Sequence, residues 1–312
     1  MRMNAAVIGS PISHSLSPEI FAFLSRRAIG LNLNYQAYDV APPSLQTKLF
    51  EFSQDPFFVG TNVTVPHKEA VLKNVREISP LVQAIGAANV LHLNNQGWTA
   101  HNTDVFGICE SLREAGVQLY GANVLIIGAG GAARAAGAAA AREKSVRVDF
   151  INRTPQRAAS IVNDLSLHFS DCDFFAHKDL FGIPNQAYDV VIHSTTVGMQ
   201  GVQVDARAEL TPIMDAISGT PFGFELIYRP EETEFLKQCK ARRWPAMGGL
   251  HMLVHQAMAT WKIWFPNHEL PKATTQELMT HLKLYLSMQT VQNETKPASK
   301  NGGTSSGSDS SR

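Results

Sequence analysis

An α/β fold of two domains facing a cleft is what this sequence predicts, on three observations. Apolar, β-branched runs alternate with helical patterns through most of the chain, as in mostly parallel sheets covered by helices. A glycine loop, VLIIGAGGAAR, stands between one such run and an alanine-rich helical pattern, the setting of a dinucleotide-binding turn. The 312 residues, 44% of them hydrophobic, suffice for two separate apolar cores.

The elements follow in order. AAVIG at 5–9 is the first strand, and SPEIFAFLSRRAIG reads as a helix with Ser17 as N-cap, Pro18 at the first helical position and Gly30 just past the end. NYQAYDV at 34–40 and FVGTNVT at 58–64 are further strands. A second unit begins after Asp104, where DVFGICESLREAG reads as a connecting helix ending at Gly116. NVLIIG, the alanine helix after Gly131 and VRVDFIN then make one βαβ unit. DVVIHS and GFELIY supply later strands. In GLHMLVHQAMATWKIWF, Leu250, Leu253, Ala257, Trp261 and Trp264 recur at spacings of three and four. That pattern predicts a deeply buried face packed on the first domain. Residues 1–104 with 248–290 are thus expected to form one domain and 105–247 the other. The stretch 291–312, polar and rich in Ser and Gly, is expected to be a disordered tail.

Composition narrows the function classes. A formal net charge of zero offers no whole-chain field for nucleic acid or an anionic membrane, leaving a small-molecule ligand as the expected partner. The first apolar run stops at Gly9 and Pro11, too soon for a signal-peptide core or a spanning helix, so cytoplasmic residence is the default. Cys109, Cys172 and Cys239 lie far apart without CxxC spacing and are expected to be reduced. His251 and His255 have a spacing that can bind metal, but no glutamate lies between them and no third ligand is evident, so no metal is expected. Nothing in the pattern fixes the oligomeric state; a homodimer stays open.

Gly128, Gly130 and Ala133 occupy the GxGxxA positions between strand and helix. Glycines there let the backbone approach a pyrophosphate, and free N–H groups at the helix start favour its charge. At the end of the next strand, where an acid would hold the ribose hydroxyls of NAD, the sequence reads FINRTPQR. Asn152, Arg153 and Thr154 stand in its place with Arg157 one turn on. A guanidinium suits a 2′-phosphate, so NADP is the expected cofactor. Asp149 is the acid that a slipped register would bring into play.

Two charged residues, Lys68 of GTNVTVPHK and Asp104 of HNTD, complete the constellation. With SPISHSLSP, GAANV, GAGGAAR, NRT, TTVGM, YRPEETEFL and GGLHMLVHQA, they make the chain resemble the shikimate dehydrogenase family over most of residues 5 to 260. The resemblance implies reversible, NADPH-dependent reduction of 3-dehydroshikimate to shikimate in aromatic amino-acid biosynthesis. It implies Lys68 and Asp104 as the catalytic pair, and Ser15, Ser17, Thr64, Asn89, Tyr228 and Gln256 as further substrate-binding residues. It also implies a cofactor lining of Gly128, Ala129, Gly130, Gly131, Ala132, Asn152, Arg153, Thr154, Arg157, Leu226 and Gly249.

The chemistry is coherent on its own terms. Hydride addition to a ketone develops alkoxide charge, which a nearby acid must neutralise. Lys68 follows Pro66 closely, which suggests a helix start, where the macrodipole opposes a cation by about 0.3 to 1 kcal/mol. A nearby Asp104 carboxylate outweighs that and keeps the ammonium charged. Taken singly, Lys68 reads sooner as a solvated lysine, Asp104 as a capping acid and Ser17 as an N-cap. The chain departs from the family pattern at Val90 in place of threonine, His193 in place of asparagine and Glu225 in place of aspartate. SPEIFAF also lacks the usual histidine and asparagine. His193 is expected to alter cofactor affinity and Val90 to reshape the substrate side. Two other readings stay open: a quinate/shikimate dehydrogenase able to use NAD, and a noncatalytic ligand-sensing relative, against which the presence of both Lys68 and Asp104 argues.

Overall fold

A computed structural model describes residues 2–178, 183 and 187–294. The described strands make two six-stranded sheets. In the first, β1 (Arg2–Gly9) lies between β2 (Asn32–Asp39) and β3 (Phe58–Val63), parallel to both. β5 (Val90–Asn94) runs antiparallel to β3 and to β6 (Gly97–His101), and β4 (Glu77–Ile78) adds a short parallel edge on β6. This sheet is therefore mixed. The β5–β6 hairpin turns at Asn95 and Gln96, where Asn94 Oδ1 accepts from the Gln96 N–H.

The second sheet is wholly parallel. β7 (Asn123–Ile127), β8 (Arg147–Ile151), β9 (Asp173–His177), β10 (Val190–His193), β11 (Phe222–Glu225) and β12 (Ala246–Met247) lie in the order β12-β11-β10-β7-β8-β9. That is the doubly wound dinucleotide order, whose ligand crevice lies beyond the carboxyl ends of the strands. Val124, Leu125 and Ile126 are all fully buried, as a strand covered on both faces requires.

Helices α1 (Ser17–Arg27), α2 (Leu45–Ser53) and α3 (Pro80–Ile85) belong to the stretch that builds the first sheet. α4 (Asp104–Glu114) carries the chain to the second, where α5 (Gly131–Arg142), α6 (Pro155–Ser166), α7 (Ala206–Asp215) and α8 (Glu234–Ala241) alternate with strands. α9 (Leu250–Trp264) and α10 (Thr274–Glu294) return to the first unit. There Val254, Ala257, Trp261 and Trp264 share one apolar cluster with Phe21, Leu24 and Leu278.

Three local expectations change. Ser17 is not the N-cap of α1: Leu16 holds that position with helical torsions and no side-chain cap, and Ser15 Oγ accepts the Ser17 N–H at 3.3 Å. Along α9, Leu250 and Leu253 are only half buried, while Met252, Val254, Gln256 and Thr260 are buried. The helix is sandwiched between α4 and the first-sheet cluster, so its buried arc is wider than one stripe, and Leu253 faces the cleft. The α4–α9 crossing is close at Gly107, where a Cβ would lie 2.8 Å from the Met252 carbonyl oxygen and 3.2 Å from Gln256 Cβ. Finally, residues 291–294 continue α10, and the rest of the expected tail lies outside the described residues.

Candidate active site

A cavity of about 240 Å³ opens between the two sheets, walled by the ends of β1 and β3, by α4 and α9, and by the loops after β10 and β11. Ser15, Ser17, Thr64, Lys68, Asn89, Asp104, Tyr228 and Gln256 all line it. Sequence positions as far apart as 15 and 256 thus meet at one place.

Lys68 and Asp104 are in contact, Nζ donating to Oδ2 at 2.6 Å, with side chains 15% and 5% exposed. In so dry a setting an ammonium–carboxylate pair interacts far more strongly than in water. Lys68 does not start a regular helix: it lies in a turn just ahead of a short 3-10 segment, Ala70–Asn74, so little dipole acts on it. Its carbonyl accepts the Ala88 N–H at 2.8 Å, which ties the turn to the segment leading into β5.

Asp104 is the first residue of α4 but does not cap it. Asn102 Oδ1 accepts the N–H groups of Asp104 at 3.0 Å and Val105 at 3.4 Å. The carboxylate is therefore free to face Lys68, and a helix start favours its negative charge. Asn89 Nδ2 donates to Asp104 Oδ1 at 2.8 Å and to Thr103 Oγ1 at 2.9 Å, while Asn89 Oδ1 accepts the Thr103 N–H at 2.7 Å. Each carboxylate oxygen thus has its own donor.

A buried polar lattice supports this centre. Thr260 Oγ1 lies 3.3 Å from Thr103 Oγ1, and Asn62 Nδ2 donates to Thr260 Oγ1 at 3.4 Å. Tyr35 in turn donates to Asn62 Oδ1 at 2.8 Å. Asn62, Asn102 and Thr103 stood inside the quoted motifs, so their residue types were a usable signal; Thr260, on an apolar helix, offered none. Gln256 Nε2 is held by the Leu253 carbonyl at 2.9 Å, and its Oε1 faces Asn89 Nδ2 at 3.4 Å. Burial pushes the Tyr228 phenol up, so it stays protonated and can donate into the cavity.

On the opposite wall, Ala132, Leu226 and Gly249 line the same cavity, whereas Gly128–Gly131, Asn152, Arg153, Thr154 and Arg157 lie beyond it. The glycine loop fits a phosphate group. Gly128 has φ +125° and packs on Ser194, where a Cβ would fall 2.5 Å from Oγ, while nothing stands within 4 Å of a Cβ on Gly130. A Cβ on Gly131, which opens α5, would lie 2.9 Å from Lys68 Cβ. The glycine turn and the lysine turn are therefore in van der Waals contact.

β8 ends at Ile151, and Asp149 is buried in the strand against Arg147, at 2.6 and 2.9 Å, and His177. No acid takes the place of Asn152 at the strand end. Asn152 Nδ2 donates to the Thr154 carbonyl at 2.9 Å and shapes the turn. The Arg153 and Arg157 side chains are 81% and 60% exposed, with carboxylates of Glu209 and Glu69 no nearer than 4.0 and 3.8 Å.

Val90 does not line the cavity; it is fully buried in the apolar cluster around Trp264. His193 is also fully buried and faces Glu225, so two positions that depart from the family pattern bond to each other. His251 and His255 both approach Glu114, at 3.0 and 3.1 Å. Burial raises the Glu114 carboxyl, but the hydrogen bond from His251 and the nearness of His255 outweigh it and hold the group below its usual range.

Comparison with known proteins agrees with this geometry. Residues 7–91 match the family model described as the shikimate dehydrogenase substrate binding domain. A protein of Ignicoccus hospitalis named shikimate dehydrogenase (NADP(+)) is 38% identical over 262 residues, 84% of this chain and 93% of that one. Its namesake in Nitrosopumilus maritimus is 32% identical over 265 residues, 85% and 93% of the two chains. The crystal structure of Thermus thermophilus shikimate 5-dehydrogenase with NADP(H) and shikimate superposes with a TM-score of 0.73 at 29% identity, covering 89% of this chain and 99% of that one. With such identity over nearly the whole length of its relatives, and the motif residues gathered around one cleft, this chain belongs to the shikimate dehydrogenase family.

Proposed function

We propose that this protein catalyses the reversible NADPH-dependent reduction of 3-dehydroshikimate to shikimate. The observation that carries the reading is the Lys68–Asp104 pair, 2.6 Å apart in a cavity whose far wall is the dinucleotide side. The cofactor, when bound, supplies the hydride. Lys68 Nζ then gives a proton to the oxygen that becomes the new hydroxyl, and Asp104 holds the ammonium in place while accepting from a ring hydroxyl. Ser15, Ser17 and Thr64 supply hydroxyl groups for the substrate carboxylate, with Asn89, Tyr228 and Gln256 on its remaining polar groups. In the oxidation direction Lys68 returns as the base that takes the hydroxyl proton.

On the cofactor side, the Gly128–Ala132 turn holds the pyrophosphate and Arg153 and Arg157 take the 2′-phosphate, with Asn152 and Thr154 shaping their loop. Leu226 and Gly249 border the nicotinamide. We assign the substrate half to residues 1–104 and 248–290 and the cofactor half to 105–247. We place the enzyme in the cytoplasm, acting on small molecules with no nucleic-acid partner, and leave a homodimer open.

The test is NADP reduction with shikimate, with quinate and with neither, repeated with NAD. Shikimate with NADP should give the highest kcat/KM. Faster quinate turnover with NAD would move the protein to the broader quinate/shikimate class; no turnover, with shikimate still bound, would make it a sensor.

A further inference from the structure

His193 ends β10 and Glu225 ends β11, and the two are register partners in the sheet. Both side chains are fully buried. His193 Nδ1 lies 3.0 and 2.9 Å from the two Glu225 oxygens, and because a carboxylate only accepts, the Nδ1–H donates. Glu225 also accepts the Ile227 N–H at 3.0 Å and the Thr233 hydroxyl at 2.7 Å. The imidazole, stacked on Phe235 with ring centroids 5.3 Å apart, has one orientation. That orientation aims Nε2 at Thr195 Oγ1, 2.6 Å away.

Thr195 lines the cavity that holds Lys68, and its Oγ1 also accepts the Val197 N–H at 3.1 Å. Its methyl group abuts the glycine loop, 3.0 Å from where a Gly128 Cβ would stand. Thr195 therefore sits in the cavity wall beside the glycine turn. Ile227, whose N–H is also tied to Glu225, lines the same cavity. A buried ionisable pair whose only task was to join two strands would be matched or bettered by an apolar pair of equal volume. Here its remaining nitrogen is directed to a cavity hydroxyl.

We propose that His193 is a positioning residue: clamped by Glu225, it fixes the Thr195 hydroxyl as a hydrogen-bonding partner for the nicotinamide end of the cofactor. The proposal rests on the NADP-dependent reading above. His193→Asn keeps a donor near Nδ1 for Glu225 but lacks the atom that reaches Thr195, and Thr195→Val removes the hydroxyl itself. Each should raise the NADP KM and the NADPH dissociation constant about three- to tenfold, the size of one net hydrogen bond, and leave the shikimate KM unchanged. The double variant should be no worse than the worse single one, because both changes break one link. Thr195→Ser should bind as the wild type does.

The measurements are steady-state kinetics and NADPH fluorescence titration on all four variants and the wild type. Effects that multiply in the double variant would overturn the proposal. So would unchanged cofactor binding in Thr195→Val, or an equal rise in both KM values accompanied by a fall in Tm. Absence of shikimate turnover in the wild type would instead defeat the proposed function, and the NADPH titrations would still decide the role of His193.

Discussion

Replacing Lys68 by methionine tests the centre of the mechanism. Methionine keeps most of the stem that packs against Gly131, where a Cβ would lie only 2.9 Å from Lys68 Cβ, and removes the ammonium proposed as proton donor. General acid–base catalysis by one positioned group contributes about 10² to 10⁴ in rate, or about 2.7 to 5.4 kcal/mol of barrier. Asp104 loses its partner at 2.6 Å but keeps the Asn89 amide at 2.8 Å and the favourable start of α4. The stability loss should therefore stay below the 3 to 5 kcal/mol, roughly, seen when a buried charge is left unpaired. Initial rates of NADP reduction should show kcat down at least a hundredfold. The shikimate KM should change by less than about tenfold, since the other polar groups of the cavity remain. A kcat within tenfold of the wild type would refute Lys68 as the proton donor and base.

Other outcomes follow from the same geometry. Gly131→Ala forces the dinucleotide turn and the Lys68 stem apart, so kcat should fall about tenfold and stability by about 1 to 3 kcal/mol, measured by rates and urea melts. An unchanged kcat would mean the turn yields freely. Arg157→Ala should raise the NADP KM about tenfold and leave the NAD KM alone, since only the 2′-phosphate needs the guanidinium; equal rises would count against that assignment. Burial pushes the thiols of Cys109, Cys172 and Cys239 up to about 12 from 9.0, so the unfolded chain ionises first as pH rises. Their contribution to stability is whole below about pH 9 and lost between about 9 and 12. Urea midpoints should fall across that window, and a flat profile from pH 8 to 11 would contradict the burial.

What the sequence revealed was local or motif-borne. Four strands of the parallel second sheet, β7, β8, β10 and β11, were legible as largely apolar runs, with α5 as the crossover between the first two; β9, the two-residue β12 and helices α6, α7 and α8 were not read from the sequence. The β5–β6 hairpin did not, because VLHLN and GWTAH mix polar and apolar residues without a strong turn dipeptide between them. The charged pair was legible as residue types in motifs, but the reason it survives burial was not. Asn102 relieves Asp104 of capping and Asn89 satisfies its second oxygen, and both depend on contacts between residues remote in sequence or on a helix boundary. Ser17 failed as a cap because helical torsions already begin at Leu16, which puts Ser17 inside the first turn with its N–H taken by Ser15. The breadth of the buried arc on α9 depended on two neighbours packing from different sides, which periodicity cannot count.

Asp104 is at once a polar contact of the cleft and the opening residue of the helix that leaves for the second sheet. At Gly107 that helix touches α9, the segment bringing the chain back. The seam between the halves is therefore no neutral joint at which modules can be exchanged. A chimera that takes its second sheet and the helices covering it from another protein will keep the chemistry only if residues 102–107 and 252–256 come from a single parent. A splice made between them should yield two well-formed halves and an idle enzyme.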